Sequence, residues 1–312
     1  MIGRKPSRLL IVGHIECMNA IRASIAITVL IQSLSSWAAI TNNPSFYEQG
    51  VESVNSRELD KAIKEFGEAI GLNPTNGLAF DYRGCCYFAK SDLDKAISDF
   101  EQAIRLNASD AIAAFDLAGA YRAKGEFDKS IGCYSAYMRL NPTNAQAYKS
   151  RASDYSALGR YDKALEDWNE GLRLSPNDST AFAMCGFDYF ETGQFERAER
   201  DDIEGVRLGP TNDVALNNLA WLRATCPVAS FRNGKEAVAA ATKACELANW
   251  TRWEWVDTLA AAFAETGNFE LAVKYEKQAM VMNGVSDSAR KSMQHCLLLY
   301  EQQQPNHEGQ KW

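Results

Sequence analysis

Histidine is scarce in this 312-residue chain. There are three, and His14, His295 and His307 are too scattered to form a site by sequence alone. No His-x-x-x-His pair, glycine-rich phosphate loop or Gly-x-Ser-x-Gly turn occurs. The eight cysteines include no CxxC pair, so neither a zinc-binding nor a thioredoxin-like motif is present. Cys85, Cys86, Cys133 and Cys185 instead fall at mostly apolar positions of expected helices, where a thiol behaves as a small hydrophobe. A basic surplus is lacking too. Lys and Arg total 33 against 40 Asp and Glu, a net charge of −7, which argues against nucleic acid and anionic lipid as partners. Asp201 and Asp202 are adjacent, but neighbours on a helix point in different directions. They are expected on a solvated face rather than as an acid–base pair. These absences predict no enzyme activity, no cofactor, no metal and no small-molecule substrate.

Proline is also rare, and four of the eight share one register: Pro74, Pro142, Pro176 and Pro210. They mark a 34-residue repeat, clearest over 145–178 (AQAYKSRASDYSALGRYDKALEDWNEGLRLSPND). A fixed period of this size signals a repeat array. The units are 43–76, 77–110, 111–144, 145–178 and 179–212, with positions numbered 1 to 34. Position 30 is leucine throughout: Leu72, Leu106, Leu140, Leu174, Leu208. Position 20 is small (Ala62, Ala96, Ser130, Ala164, Ala198), as is position 8 (Gly50, Gly84, Ala118, Ala152, Gly186). Position 11 is tyrosine in four units, and position 15 is glycine in three, Gly125, Gly159 and Gly193. Asp94, Asp128 and Asp162 follow at the start of a second helix, where an acid complements the helix dipole. Each unit therefore reads as helix A, tight turn, helix B, turn. The proline at position 32 stops helix B. One such hairpin cannot bury its apolar faces alone, so the units must stack.

Phe80, Gly84, Tyr87, Ala96, Phe100 and Ala103 in the second unit, and Tyr148, Tyr155, Ala164, Trp168 and Pro176 in the fourth, resemble the tetratricopeptide repeat pattern. The resemblance implies an all-α fold, a right-handed superhelical solenoid of about seven helix-turn-helix units. It is specific for fold and weak for function, because such repeats serve unrelated partners.

The register continues into a sixth unit, 213–252, and then shifts. Ala237 takes the small position five residues late, after ATCPVASFRNG, with Pro227 ending helix A and Gly234 opening helix B. This is similar to a bacterial variant with an expanded inter-helix loop. A seventh unit covers 253–284. Residues 285–304 are expected to form a polar-faced capping helix, started by Ser286 or Asp287, and 305–312 a disordered tail. A Cys226–Cys245 bridge is disfavoured, because about ten helical residues separate Cys245 from the start of helix B, near Cys226. Trp250, Trp253 and Trp255 are expected to pack between the last two units.

The first forty residues stand apart. Arg4, Lys5, Arg8 and Arg22 are followed by apolar 23–34 (ASIAITVLIQSL) and the small-residue-rich stretch 35–39 (SSWAA). That order predicts a signal peptide over 1–38, with Met18 an alternative start. An uncleaved membrane anchor is the competing reading, and a cytoplasmic extension the third.

By the same resemblance, helices A line a concave groove that takes a peptide or a partner helix. Groove positions hold Tyr47, Asp81, Tyr82, Phe88, Phe115, Asp116, Arg122, Lys149, Phe187, Phe190, Asn217, Asn218 and Trp221. This expectation competes with packing of the same aromatics between helices. Co-chaperone members of the family hold a C-terminal carboxylate with basic groove residues. Here Tyr47, Val51, Tyr82, Ile112 and Asp116 occupy those places, and the charge is wrong. The expected function is a non-enzymatic scaffold for protein or peptide ligands in the cell envelope. A cytoplasmic adaptor and a non-catalytic subunit of an envelope enzyme complex are the alternatives.

Overall fold

The computed structural model describes residues 45–107 and 111–307. The leader 1–38, with its cleavage and anchor alternatives, lies outside the described residues, as does the tail from 308. Fifteen α-helices and no strand occur among the described residues. The chain divides at Gly159 into two compact units. The N-terminal unit holds α1 (Phe46–Asn55), α2 (Leu59–Leu72), α3 (Gly77–Ala89), α4 (Leu93–Leu106), α5 (Ala111–Ala123), α6 (Phe127–Leu140) and α7 (Ala145–Ala157). The C-terminal unit holds α8 (Tyr161–Leu174), α9 (Ser179–Glu191), α10 (Phe195–Leu208), α11 (Asp213–Thr225), α12 (Gly234–Leu247), α13 (Trp253–Glu265), α14 (Phe269–Met280) and α15 (Asp287–Glu301). Within each unit every helix packs on the next, as an array of hairpins requires.

The register shows in the helix ends. Position 34, to which the repeat pattern gave no role, is the N-cap of the following helix A. Asn76, Asn144, Asp178 and Asn212 each accept a backbone N–H of the first turn through the side chain. The first helix instead has a capping box, Ser45 with Glu48. Position 15 lies in the left-handed region wherever the tight turn occurs. Gly125, Gly159, Gly193 and Gly267 take it without strain, whereas Arg57 (φ 63°) and Ser91 (φ 62°) hold it with a side chain. The strain at a non-glycine there exceeds the extra chain entropy that glycine loses on folding. Ser91→Gly is therefore expected to stabilise the N-terminal unit by about 0.5–1 kcal/mol, read as a rise in the thermal midpoint. An unchanged or lowered midpoint would refute it.

The core depends on positions 8 and 24. Position 24 is Phe66, Phe100, Tyr134 and Trp168 in the first four units, each buried. The ring of Phe66 fills the space above Gly50, and that of Phe100 the space above Gly84. A Cβ on either glycine would sit 2.7–2.8 Å from ring carbons. The fifth and seventh units break this rule. Asp202 and Glu276 stand at position 24, both buried. Asp201 and Asp202 are thus not on a solvated face as their adjacency suggested. Both are buried, Asp201 beside Arg200, and Asp202 occupies the notch over Gly186 that a ring fills elsewhere.

This exchange sets how closely the A helices approach. In the N-terminal unit Tyr47, Phe66 and Tyr82 form a mutual aromatic wedge, with centroids 5.6–5.9 Å apart, and α1 meets α3 at only a few points. The same register in the C-terminal unit carries Ala183, Asp202 and Asn218. There α9 and α11 lie side by side, and Asn218 Nδ2 donates to the Ala183 carbonyl at 2.8 Å.

Between α11 and α12 the chain runs through Cys226–Asn233 with one 3-10 turn, Ala229–Phe231. Arg223 donates to the Phe231 carbonyl at 3.1 Å and Arg232 to that of Cys226 at 2.7 Å. Arg232 also pairs with Glu265 of α13 at 3.0 Å, whose other oxygen lies 2.7 Å from His307 Nε2. The described start of the expected tail, 305–307, thus lies against the fold. Cys226 and Cys245 are free, buried thiols. Of the tryptophans, Trp255 is buried and donates to Asp213 at 2.8 Å, while Trp250 is 37% exposed and stacks on Tyr275. Ser286 caps α15 through its side chain.

Candidate functional site

The A helices of the N-terminal unit carry eight of the expected groove residues. Asp81 and Tyr82 are buried; Tyr47, Phe88, Phe115, Asp116, Arg122 and Lys149 are half-buried. Phe115 meets Tyr134 and Tyr137 of α6 edge-on, at 5.3 and 5.0 Å. Tyr47 and Tyr82 belong to the aromatic wedge. Arg122 lies 3.3 Å from Asp154, which also accepts from the Ser130 hydroxyl at 2.6 Å. Burial raises the Asp154 pKa to about 6, opposed by Arg122 and by the Ser130 hydrogen bond. Aromatic rings here are therefore held from the side by packing, with charged groups of both signs between them.

Asp81 and Cys85 lie one turn apart on α3 and meet Asp116 of α5, their donor atoms all within 4.8 Å of one another. Repeat spacing finds this convergence, because positions 5 and 9 of one unit face position 6 of the next. Cys85 is the member the groove positions left unnamed. Its Sγ is 3.7 Å from Asp116 Oδ2. Burial and the two carboxylates push the thiol pKa well up. A cation would have to displace that thiol proton to take all three as ligands.

In the C-terminal unit Phe187 is half-buried, and Phe190, Asn217, Asn218 and Trp221 are buried. Phe187 meets Tyr161 edge-on at 6.4 Å, and Phe190 meets Phe195, which contacts Phe231 of the long inter-helix segment. Asn217 is fully buried with neither amide atom hydrogen-bonded. None of the thirteen residues is exposed, so the expected row of open aromatics is drawn into the seams between helices. A separate cleft of about 570 Å³ lies on α10 beside Phe182 of α9, lined by Ile203, Glu196, Glu199, Glu204 and the Arg200–Asp201 pair.

Residues 83–145 match a family model described as tetratricopeptide repeat, and residues 145–178 match a second model of the same description. A comparison with curated proteins finds no match. Among solved structures the chain is similar to YrrB, described as a TPR protein with an unusual peptide-binding site. Identity is 19% and the TM-score 0.52, over 61% of this chain and 96% of that one. It is also similar to MamA from Desulfovibrio magneticus RS-1, at 14% identity and TM-score 0.52, over 54% and 95% of the two chains. A further MamA structure gives 21% and 0.50, over 52% and 94%. At such identities the likeness concerns the fold, which is that of a tetratricopeptide-repeat protein.

Proposed function

We propose that this tetratricopeptide-repeat chain is a non-enzymatic interaction scaffold that takes an extended peptide or a partner helix on the A-helix faces. The observation that carries this reading is the set Phe88, Phe115, Asp116, Arg122 and Lys149. These residues are half-buried on successive A helices, with apolar bodies fixed by packing and charged groups of both signs between them. Such a surface binds through apolar anchors and orients the ligand through polar contacts. The description of YrrB as having a peptide-binding site supports a peptide as ligand.

A tagged full chain used as bait is expected to retain a specific partner that is lost with Lys149→Glu or Phe187→Ala. Circular dichroism and the thermal midpoint control for folding. Phe115→Asp is a poor probe, because that ring is part of the α5–α6 packing. Unaltered partner binding in both well-folded variants would remove the A-helix faces from consideration. Recovery of one catalytic subunit as that partner would favour a role as its non-catalytic companion.

The basic, apolar, small order of 1–38 supports export to the cell envelope, with a cytoplasmic adaptor as the alternative. No helix among the described residues is long and apolar enough to cross a membrane. N-terminal sequencing of the mature protein decides: a start near residue 39 fits export, and an intact residue 1 or 18 rejects cleavage.

A further inference from the structure

We propose that Glu276 and Asp257 form a proton-sharing carboxyl pair that locks the capping helix α15 onto the seventh hairpin and loosens it when that proton is lost to solvent. Four sister units place Phe66, Phe100, Tyr134 or Trp168 where Glu276 stands, so an apolar residue is what this position ordinarily buries. Glu276 is 0% exposed, and neither Oε atom meets a donor among the described residues. Its polar neighbour is the carboxyl of Asp257, on the facing helix α13. Two carboxylates both accept, so a hydrogen bond between them requires one proton.

From α15, the groups facing this pair are Tyr300, which is 1% exposed, and Cys296 beside it. Both are neutral while protonated, and burial holds the Tyr300 phenol well above its ordinary value. Of the cations of α14, Lys277 pairs at the surface with Glu301 of α15 at 3.0 Å, and Lys274 lies 5.4 Å from the Tyr275 ring centroid. Burial first, and then Asp257, raise the Glu276 pKa well above the usual carboxylate range. A second charge in the pair would stand against Tyr300, Leu299 and Cys296, the residues that seal Ala260, Ala264 and Ala272.

The sign follows from proton linkage. The folded state holds a proton that the unfolded state releases near pH 4–5, so stability falls as pH rises from there to the folded-state pKa. For one linked proton, the equilibrium between docked and released α15 shifts about tenfold per pH unit inside that window.

Hydrogen exchange of the full chain, followed from pH 5 to 9 and corrected for intrinsic rates, tests this. Amides of α15 are expected to lose protection as pH rises, ahead of those of α1–α4. Glu276→Gln is expected to keep α15 protected with little pH dependence. Asp257→Asn serves as a second variant, should the first misfold. Asp202→Asn, remote on α10, acts on global unfolding of the unit and is expected to leave the pH slope of local α15 opening as in the parent chain. Constant protection of α15 with pH in the parent chain, or an unchanged pH profile in Glu276→Gln or Asp257→Asn, would overturn the proposal.

Discussion

Phe100→Ala is expected to cost the N-terminal unit about 3–5 kcal/mol, the range for deleting a fully buried ring. Phe100 is 1% exposed and sits in a cluster with Ala96, Ile97, Leu117, Ala120 and Tyr121. Its ring lies in the notch over Gly84, so truncation leaves a void bordered by backbone that cannot collapse into it. In an array each hairpin is stabilised by its neighbours, so the loss at α4 also weakens the seams with α3 and α5. Urea denaturation followed by circular dichroism measures it, and a loss below about 1 kcal/mol would contradict the packing described. The complementary change, Gly84→Ala, places a Cβ 2.8 Å from the same ring and is expected to cost about 1–3 kcal/mol by overpacking. Because the two changes act on opposite walls of one notch, the double variant should cost less than the sum of the two.

Asp202→Asn is expected to do the opposite and stabilise the C-terminal unit at neutral pH, on the order of 1–4 kcal/mol, because Asn needs no proton on folding whereas Asp202 takes one up about three pH units above its unfolded pKa. Asp202 is 1% exposed, its Oδ1 has no hydrogen-bond partner, and the adjacent Asp201 is committed to Arg200 at 3.0 Å. Burial, and then the charge of Asp201, push the Asp202 pKa well above its ordinary value. The native state therefore binds a proton that the unfolded chain gives up near pH 4. Stability of the parent chain should fall as pH rises above that point, and Asp154, raised to about 6, adds the same sign between pH 4 and 6. Thermal midpoints from pH 5 to 8 should therefore decline more gently in Asp202→Asn than in the parent. A variant less stable than the parent at pH 7, or one with the parent's slope, would show that Asp202 is held charged by contacts worth more than its burial.

The two predictions turn on one register position, and the sequence showed the register without showing what it meant. Periodicity placed the small residues at 8 and 20, the glycine of the tight turn at 15 and the proline at 32. Each of these is a local backbone or size requirement that repeats in the letters. The N-caps at position 34 were equally readable, since Asn and Asp recur there just before each helix A. Asp201 and Asp202 were misjudged because adjacency on a helix says only that two side chains diverge. Which of them faces the hairpin depends on the aromatic of the sister units. The expected groove aromatics share this difficulty: helical spacing assigns a face, but whether Phe115 projects from it or packs against Tyr134 and Tyr137 depends on a side chain one helix away.

By itself the sequence determined an all-α array of 34-residue hairpins, because turn geometry and close helix crossing are demands that each unit must meet from its own residues. Only the tertiary structure decided how near neighbouring A helices stand, which aromatics are sealed in the seams and which carboxyls are buried. Those outcomes depend on the volume that side chains from separate units occupy together. Three rings hold α1 and α3 apart, whereas Ala183, Asp202 and Asn218 let α9 and α11 close on each other.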